Sequence, residues 1–312
     1  MARLSGYYIM DGIDLYDTYN CVIGKGSYAS ILQYPKRKEP RKNDWFELDG
    51  VEVDLSESFY ESTDVTLKFI MYHRDRFTLL SNIKSVENLL TSAGNRTFNL
   101  QGINKSSIIL RYESSSNTST NITRELNMYV FETDVKLCCD NPQDLIKTTN
   151  TSFIPFTPIH DSKVLIDNVN VSSCGIYVSS FTSSLINPFS IKEILSKSFS
   201  RKSGAISYNS TKSKNKAKEL SIEFVIVSNS IANIIDNYCL LFSKLNKVGG
   251  LKITHNLLSK QYMCYYNSQS NLELLGFGKS SNRYAIKFTA SMICYSETGF
   301  DSFDDTFDIS FD

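Results

Sequence analysis

The fold is decided by residues 67–100, LKFIMYHRDRFTLLSNIKSVENLLTSAGNRTFNL, because the chain repeats their pattern at residues 222–255 as IEFVIVSNSIANIIDNYCLLFSKLNKVGGLKITH. Leu67 aligns with Ile222 at an offset of 155 residues, and the offset holds without a gap to Gly94 and Gly249. Similarity within one chain at a fixed spacing is typical of a repeated structural unit. The sequence therefore predicts two copies of one module in tandem. They serve either to elongate a shared core or to supply repeated positions around a ring.

Each copy combines a strand with a helix. Apolar residues alternate in two segments, as along a strand with one buried face: Val65, Leu67, Phe69 and Met71, and then Leu220, Ile222, Phe224 and Ile226. After each strand, apolar residues recur in steps of three and four: Leu79, Leu80, Ile83, Val86 and Leu90, and then Ile231, Ile234, Ile235, Tyr238, Leu241, Phe242 and Leu245. This spacing predicts an amphipathic helix of about four turns. We expect each helix to end at a left-handed glycine, Gly94 or Gly249.

Further strands surround this pair of elements. Three more strand-like segments align at offsets of 156, 155 and 158 residues: Tyr8 with Val164, Ile108 with Met263, and Asn127 with Ala285. Each copy thus reads as strands, a long loop, a strand, one helix and about three more strands. We predict a mainly β, α+β fold of two tandem β-sandwich or barrel domains, each with one flanking α-helix. The first domain spans residues 1–150 and the second spans residues 151–298.

Composition excludes several classes of protein. The 33 Lys and Arg residues balance 33 Asp and Glu residues, so no overall charge draws the chain to nucleic acid or to an anionic membrane. The seven cysteines are scattered without the CxxC pairs of a zinc or redox site, which favours buried thiols in a reducing compartment. The N-terminus has no signal-peptide core, and nowhere do 18 apolar residues follow one another. The sequence predicts no membrane span.

The sequence lacks the residue patterns of common catalytic and metal sites. His73, His160 and His255 are isolated from one another, which is typical of surface or packing histidines. The run Gly24-Lys-Gly-Ser27 lacks the first glycine of a P-loop, and no GxSxG motif occurs. We therefore predict that the protein is not an enzyme and has no cofactor and no metal site.

Residues 299–312 form an acidic C-terminal tail that also carries four phenylalanines: Phe300, Phe303, Phe307 and Phe311. One interpretation is a solvated end. The other is an anchor whose carboxylates keep it soluble until its rings bind a groove on a neighbouring subunit. A solvating tail does not need four aromatic rings, so we predict contacts between subunits at these phenylalanines.

Basic residues gather in the long loop of each copy. They are Lys36, Arg37, Lys38, Arg41 and Lys42 in the first copy, and Arg201, Lys202, Lys214 and Lys216 in the second. A run of charges is usually a solvated surface. Because the same loop is basic twice on a neutral protein that has an acidic tail, we predict that these residues also make contacts between subunits.

These residues support a resemblance to a known family. A unit of strands with one flanking helix and a long loop before it, duplicated in tandem, resembles the tail-tube fold of phage tail-tube, distal-tail and baseplate-hub proteins. The run DGIDLYDTYNCVIGKGSYASILQYPKRKEPRKNDW, residues 11–45, is similar to tail proteins of phages of the Bacteroides group, including crAss-like phages. The resemblance covers residues 1–140 and 160–300.

The resemblance implies a structural virion protein, a tail hub or distal-tail component, in the tail of a phage that assembles in the host cytoplasm. Copies would form a ring, either a hexamer or a trimer with pseudo-six-fold symmetry, with strand edges paired across neighbours. Adjacent tail or baseplate proteins would be its partners, and DNA would pass through the lumen without sequence-specific binding. The alternative is a duplicated β-sandwich module that binds a receptor or a carbohydrate. The single tryptophan, Trp45, has no counterpart in the second copy, which disfavours this alternative.

Overall fold

A computed structural model describes residues 5–24, 26–46, 48–117, 123–125, 127–148, 150–157, 164–180, 184, 187–193, 196–198, 200, 205–207, 214–255, 260–276 and 283–299. The fold is mainly β with a smaller helical part, as predicted. The first half contains β1 (Tyr8–Met10), β2 (Ile13–Asp14), α1 (Leu15–Tyr19), β3 (Cys21–Ile23), α2 (Ser27–Leu32), β4 (Lys42–Asn43), β5 (Glu52–Val53), β6 (Thr63–His73), α3 (Arg76–Thr91), β7 (Arg96–Leu100), β8 (Lys105–Asn117), β9 (Thr123–Glu125) and β10 (Met128–Cys139). The second half contains β11 (Val164–Ile166), β12 (Ile176–Ser180), β13 (Ser196–Ser198), β14 (Ala205–Ser207), β15 (Lys218–Ser228), α4 (Ile231–Leu245), β16 (Leu251–His255), β17 (Lys260–Leu275) and β18 (Tyr284–Gly299).

The two large sheets have the same strand order. The first sheet runs β2-β1-β7-β8-β10-β6-β3, with β9 paired to β10, and the second runs β11-β16-β17-β18-β15-β12. Once β2 and β9 are set aside, every strand of one sheet has a counterpart at the same place in the other. Two copies of one module would give this arrangement. The domain limits at residues 150 and 298 stay predictions.

Strand pairing corrects one of the offsets predicted between the copies. Tyr129 of β10 faces His73, and Tyr284 of β18 faces Ser228. Each residue of the second pair therefore lies 155 residues after its counterpart in the first pair. The predicted offset of 158 at these strands was wrong. The sequence match misled because both strands are alternating apolar segments, in which a shift of a few residues still aligns similar side chains.

Pairing also corrects the alignment of β8 with β17 by one residue. Ile108 faces Phe98, whereas Tyr262 faces Ile253, so these strands align at an offset of 154 rather than 155. The additional residue in the first sheet lies at a break in the register beside Ser107, whose φ is 56°. A β-bulge of this kind inserts one residue without changing the strand order.

The turn that follows the first strand is the same in both sheets. Asp11 accepts the backbone N–H of Thr97 at 2.7 Å, and Asp167 accepts that of Lys252 at 2.9 Å. The two aspartates also donate their own N–H groups to the same two residues, each at 2.8 Å. A carboxylate that accepts a backbone N–H fixes the path of a tight turn. Each edge strand is thereby held against its neighbour.

The two long helices lie where predicted but end earlier. Asp75 caps α3 by accepting the N–H of Thr78 at 2.8 Å. The last helical residues are Thr91 and Leu245, and Gly94 and Gly249 follow in the next turn with φ values of 91° and 80°. These glycines therefore start the return to the sheet and do not cap the helices. The first half also has two short helices, α1 and α2, that were not predicted.

The buried stripes distinguish the two helices. On α3 the predicted residues Leu79, Ile83, Val86 and Leu90 are buried, and Leu80 is exposed. On α4 nine of the 15 residues are buried: Ile234, Ile235, Asn237, Tyr238, Cys239, Leu240, Leu241, Phe242 and Leu245. A helix that is buried nearly all round must be covered on its outer side as well as by its sheet.

Serine hydroxyls occupy part of the outer edge of each sheet. Lys68 of β6 donates its N–H to Ser27 Oγ at 2.8 Å, and Ser221 of β15 donates to Ser184 Oγ at 3.1 Å. Strand pairing with another chain would require these backbone groups to be free. The expected pairing of strand edges between subunits cannot use these backbone groups, because they are already bonded within the chain.

All seven cysteines are free thiols, and six of them are buried, with only Cys174 partly exposed. Burial raises the pKa of the Cys139 thiol to about 11. Such thiols pack as small apolar side chains, as predicted. None of the described helices is long and apolar enough to span a membrane.

Candidate assembly surface

Each sheet carries a long loop that we call an arm. Arm 1 is residues 36–61 and arm 2 is residues 190–216. Their bases are closed alike: the N–H of Lys38 donates to the carbonyl of Phe59 at 2.8 Å, and the N–H of Lys192 donates to the carbonyl of Lys214 at 2.7 Å. Each arm also holds a small antiparallel sheet, β4–β5 in arm 1 and β13–β14 in arm 2. The arms are thus counterparts in the two halves.

The arms are opposite in charge, which corrects the interpretation that both loops are basic. Arm 1 has five basic and eight acidic residues, a net charge of −3. Arm 2 has seven basic residues and one acidic residue, a net charge of +6. The basic run at 36–42 had suggested a basic loop because the acids of arm 1 are spread over the rest of it. Opposite charges at equivalent positions suit contact between one arm and the other.

Arm 1 lies across the second sheet. The N–H of Arg37 donates to the carbonyl of Asn267 at 2.8 Å, and the N–H of Val51 donates to that of Tyr295 at 3.2 Å. The carbonyl of Leu55 accepts the N–H of Gly249 at 3.2 Å. These backbone bonds connect the base, tip and middle of arm 1 to β17, β18 and the turn after α4, respectively. Arm 1 therefore joins the two halves.

The tip of arm 1 binds the base of arm 2 through charges. Lys192 Nζ lies 2.5 Å from Asp44 Oδ1, and its side chain is 6% exposed. Lys214 Nζ lies 3.5 Å from Asp49 Oδ2, and the N–H of Gly50 donates to the carbonyl of Asn215 at 2.9 Å. A buried ammonium needs such a partner, because removing it from water is otherwise costly. The ion pair between Lys192 and Asp44 thus holds the tip of arm 1 against the base of arm 2.

Tyr34, just before arm 1, is the aromatic anchor of this contact. It is 1% exposed, and its ring stacks on that of Tyr238 in α4 with centroids 4.3 Å apart. The ring centroids of Phe242 and Phe288 lie 4.7 and 5.2 Å from that of Tyr34. A tyrosine from the first half is therefore part of the core of the second half. The cluster packs Tyr34 between α4 and the strands β17 and β18.

Hydrogen bonds satisfy both buried phenols. Tyr34 Oη donates to the carbonyl of Tyr238 at 2.5 Å, and Tyr238 Oη donates to the carbonyl of Leu32 at 2.6 Å. Gln269 completes the set: its Nε2 donates to Tyr238 Oη at 2.9 Å, and its Oε1 accepts the N–H of Tyr34. Burial raises the pKa of both tyrosines well above the usual value. The phenols stay neutral and act as hydrogen-bond donors across the contact.

Arg37, a predicted contact residue, is used within the chain. Its guanidinium carbon lies 5.3 Å from the ring centroid of Tyr265, and Nη2 donates to the carbonyl of Glu57 at 3.1 Å. The residue is 3% exposed, and burial lowers the pKa of the guanidinium. Stacking of a cation on an aromatic face is favourable when water is excluded. Arg37 therefore helps to hold arm 1 on β17.

The other predicted contact residues are distributed over the arms. Ion pairs are formed by Lys36 with Glu61 at 3.0 Å, Lys42 with Glu39, and Lys216 with Glu193 at 3.9 Å. Lys38 and Arg41 contribute backbone hydrogen bonds at the base and middle of arm 1. Exposed pairs of this kind contribute about 0–1 kcal/mol each. Six predicted residues lie outside the described part of the chain: Arg201, Lys202, Phe300, Phe303, Phe307 and Phe311.

One group among the described residues has the composition of a metal site. Asp64, Glu113 and Cys138 offer ligand atoms within 4.8 Å of one another. The ammonium of Lys136 lies 3.0 Å from the Asp64 carboxylate and 3.2 Å from that of Glu113. Both carboxylates already form ion pairs with Lys136, so this group is part of a network of ion pairs.

A wide groove lies between α2, the outer side of β6 and the end of β17. Its volume is about 840 Å³, and small side chains such as Ala29 and Ser30 line much of it. Lys68 in its wall is paired with Glu132 at 3.4 Å. Binding sites for small molecules have a few polar groups that converge on the ligand, and this groove has no such arrangement among its described lining residues.

Comparisons with known proteins give little to set beside this geometry. Searches against protein-family models and against curated protein sequences find no match. Among solved structures, the chain is similar to the Dit protein of phage SPP1. That protein is described as a paradigm of the hub adsorption apparatus in phages that infect Gram-positive bacteria. That match covers 94% of this chain and 98% of the Dit chain, at 10% sequence identity and a TM-score of 0.31. A likeness at this level assigns neither fold nor function.

Proposed function

We propose that the protein is a structural component of a phage tail, a hub or distal-tail protein, that binds copies of itself head to tail to form a ring. The observation that supports this function is the crossing of arm 1 from the first sheet to the second. Arm 2 leaves the second sheet from the equivalent place. A sheet that follows the second one would be needed to receive arm 2, and the first sheet of another copy has the same strand order.

Contacts of this type propagate from one copy to the next. The surface that gives an arm and the surface that receives one are different, so the contact between copies is heterologous. A heterologous contact produces a ring if the rotation closes and a filament if it does not. Two modules per chain suit a trimer with pseudo-six-fold symmetry or a hexamer with two layers.

The sequence resemblance to tail-tube-fold proteins gives this ring its proposed setting. The ring would surround the DNA exit channel of the virion tail, with adjacent tail or baseplate proteins as partners. DNA would pass through the lumen without sequence-specific contacts, since the chain as a whole has no net charge. Function would consist of assembly and of guiding DNA during ejection, without catalysis.

The proposal predicts assembly of the purified full-length chain. At micromolar concentration we expect particles of three or six times the 35.4 kDa mass of one chain, with a central hole. Mass photometry gives the number of chains, and negative-stain electron microscopy shows the hole. Monomers at every concentration, or open filaments, would contradict the ring. Monomers that bind glycans tightly would instead support the carbohydrate-binding alternative.

A further inference from the structure

The surface that arm 1 covers on the second sheet is aromatic. Tyr265 of β17 and Tyr295 of β18 stack with ring centroids 6.4 Å apart. Arg37 of arm 1 lies over Tyr265, which is only 5% exposed. The carbonyl of Tyr295 accepts the N–H of Val51. Burial of aromatic area contributes to the attraction in this contact.

The same place on the first sheet holds an ion pair. Arg111 faces Cys138 across the strands, and Tyr265 faces Ile293, which is 155 residues after Cys138. Arg111 is therefore the counterpart of Tyr265. Asp140, two residues beyond Cys138, is the counterpart of the second stacked tyrosine. Arg111 Nη2 lies 3.1 Å from Asp140 Oδ1, so a salt bridge replaces the aromatic stack.

This ion pair belongs to a larger network, which we call the charged face: Asp64, Arg111, Glu113, Lys136 and Asp140. Arg111 also lies 3.6 Å from Glu113, and Lys136 joins Glu113 to Asp64. The side chains of Arg111 and Asp140 are 47% and 52% exposed. Three carboxylates and two cations give the charged face a net charge of −1. In the second sheet, by contrast, arm 1 covers the corresponding place.

The long helices show the same difference between the two halves: the outer side of α4 is buried, and the outer side of α3 is charged and exposed. Cys239 and Phe242 of α4 are buried, and Lys105 of the first half donates to Cys239 Sγ at 3.2 Å. Their counterparts 155 residues earlier on α3 are Lys84 and Glu87, and both are exposed. The outer side of α4 suits a permanent apolar contact, whereas the outer side of α3 suits a contact that forms between solvated chains.

We propose that the charged face binds arm 2 of a second copy through charge pairing, an inference that rests on the head-to-tail assembly proposed above. Arm 2 carries a net charge of +6, whereas the charged face carries a net charge of −1. Within the chain, acidic arm 1 already binds the basic base of arm 2 at Lys192 and Lys214. The contact between copies repeats that pairing with the aromatic part replaced by ions.

Ionic strength then controls assembly without unfolding the chain. Attraction between exposed charges is screened over about 8 Å at 0.15 M salt and over about 3 Å at 1 M. The contact within the chain is built on buried aromatic rings and is much less sensitive to salt. We expect rings at low salt to dissociate at high salt into folded single chains.

Charge reversal on the charged face tests this inference. In the double variant Glu113→Lys, Asp140→Lys we expect the association constant between copies to fall at least about tenfold at 0.1 M salt, because lysines then oppose arm 2. The control is Glu132→Lys, which reverses a partly exposed carboxylate on β10, outside the charged face. Sedimentation velocity over a range of salt concentrations measures both the association and its salt dependence, and circular dichroism checks the fold.

Reversal on the other partner completes the test. Arg201→Glu, Lys202→Glu in arm 2 should weaken association similarly. Combined with the first variant, it should restore part of the loss, because opposite charges again face each other. Wild-type rings that resist high salt, or a charged-face variant that assembles as well as the Glu132→Lys control, would overturn the charge-pairing inference and leave the ring standing. Wild-type chains that stay monomeric at low salt would overturn both proposals.

Discussion

Replacing Tyr34 with alanine is expected to lower the free energy of unfolding by about 3–5 kcal/mol, the cost typical of truncating a buried aromatic residue. The change opens a cavity among the rings of Tyr238, Phe242 and Phe288. It also removes the hydrogen bond that Tyr34 Oη donates to the carbonyl of Tyr238. Because Tyr34 joins the two halves, we further expect their unfolding transitions to separate. Urea denaturation followed by circular dichroism measures both effects.

Two variants control for this result. Tyr34→Phe keeps the ring and removes only the hydroxyl, so its expected cost is about 0.5–1.5 kcal/mol, that of one hydrogen bond. Phe77→Ala removes an aromatic ring that is 80% exposed on α3 and should change the stability by no more than about 0.5 kcal/mol. The anchoring role of Tyr34 is refuted if Tyr34→Ala is as stable as Phe77→Ala.

Replacing Gly50 with alanine is expected to displace the tip of arm 1, at a cost of about 2–4 kcal/mol. Gly50 has a φ of 72°, and an added Cβ would overlap the carbonyl oxygen of Tyr295 and lie 2.9 Å from its carbonyl carbon. Both groups are backbone and cannot turn aside. The arm must move, which breaks the hydrogen bonds from Gly50 to Asn215 and from Val51 to Tyr295. Hydrogen exchange at these two amides should accelerate at least tenfold.

Gly12 provides the matched control. Its φ is 82°, and nothing lies within 4 Å of the position of an added Cβ. Gly12→Ala therefore has only the backbone cost of about 1–2 kcal/mol and should leave arm 1 in place. Trp45 is the only tryptophan and lies in arm 1, so its fluorescence reports the arm directly. A Gly50→Ala emission spectrum identical to that of Gly12→Ala would contradict the docking of the tip.

The repeated core could be predicted because its signals are periodic. The alternation at Leu67 and Phe69 and the spacing of Ile83, Val86 and Leu90 identify a strand and a helix, and the same residues are buried. The second copy made this prediction stronger, since chance rarely repeats both patterns at one offset. Offsets failed where a β-bulge or similar apolar alternation hid the register, which only pairing between strands reveals.

The contact between the halves could not be predicted in this way. Tyr34 and Gln269 have no periodic neighbours to mark them, and they meet across 235 residues of sequence. Arg37 reads as one member of a basic run until Tyr265 is placed beneath it. The net charge of each arm is readable from the sequence, but only once the bounds of the arm are known. The predicted contact residues at 201–202 and 300–311 stay predictions.

The path of arm 1 also sets an order of events during synthesis. When the ribosome has completed the first sheet, Tyr34 and Leu55 have nothing to pack against. Their partners in α4 and in the turn after it lie about 200 residues further along the chain. The nascent protein therefore exposes the side chains of Tyr34 and Leu55 until translation is nearly finished, a period in which chaperone binding protects such chains. A ribosome that stalls near residue 150 would release a fragment in which these two side chains are exposed and can promote aggregation.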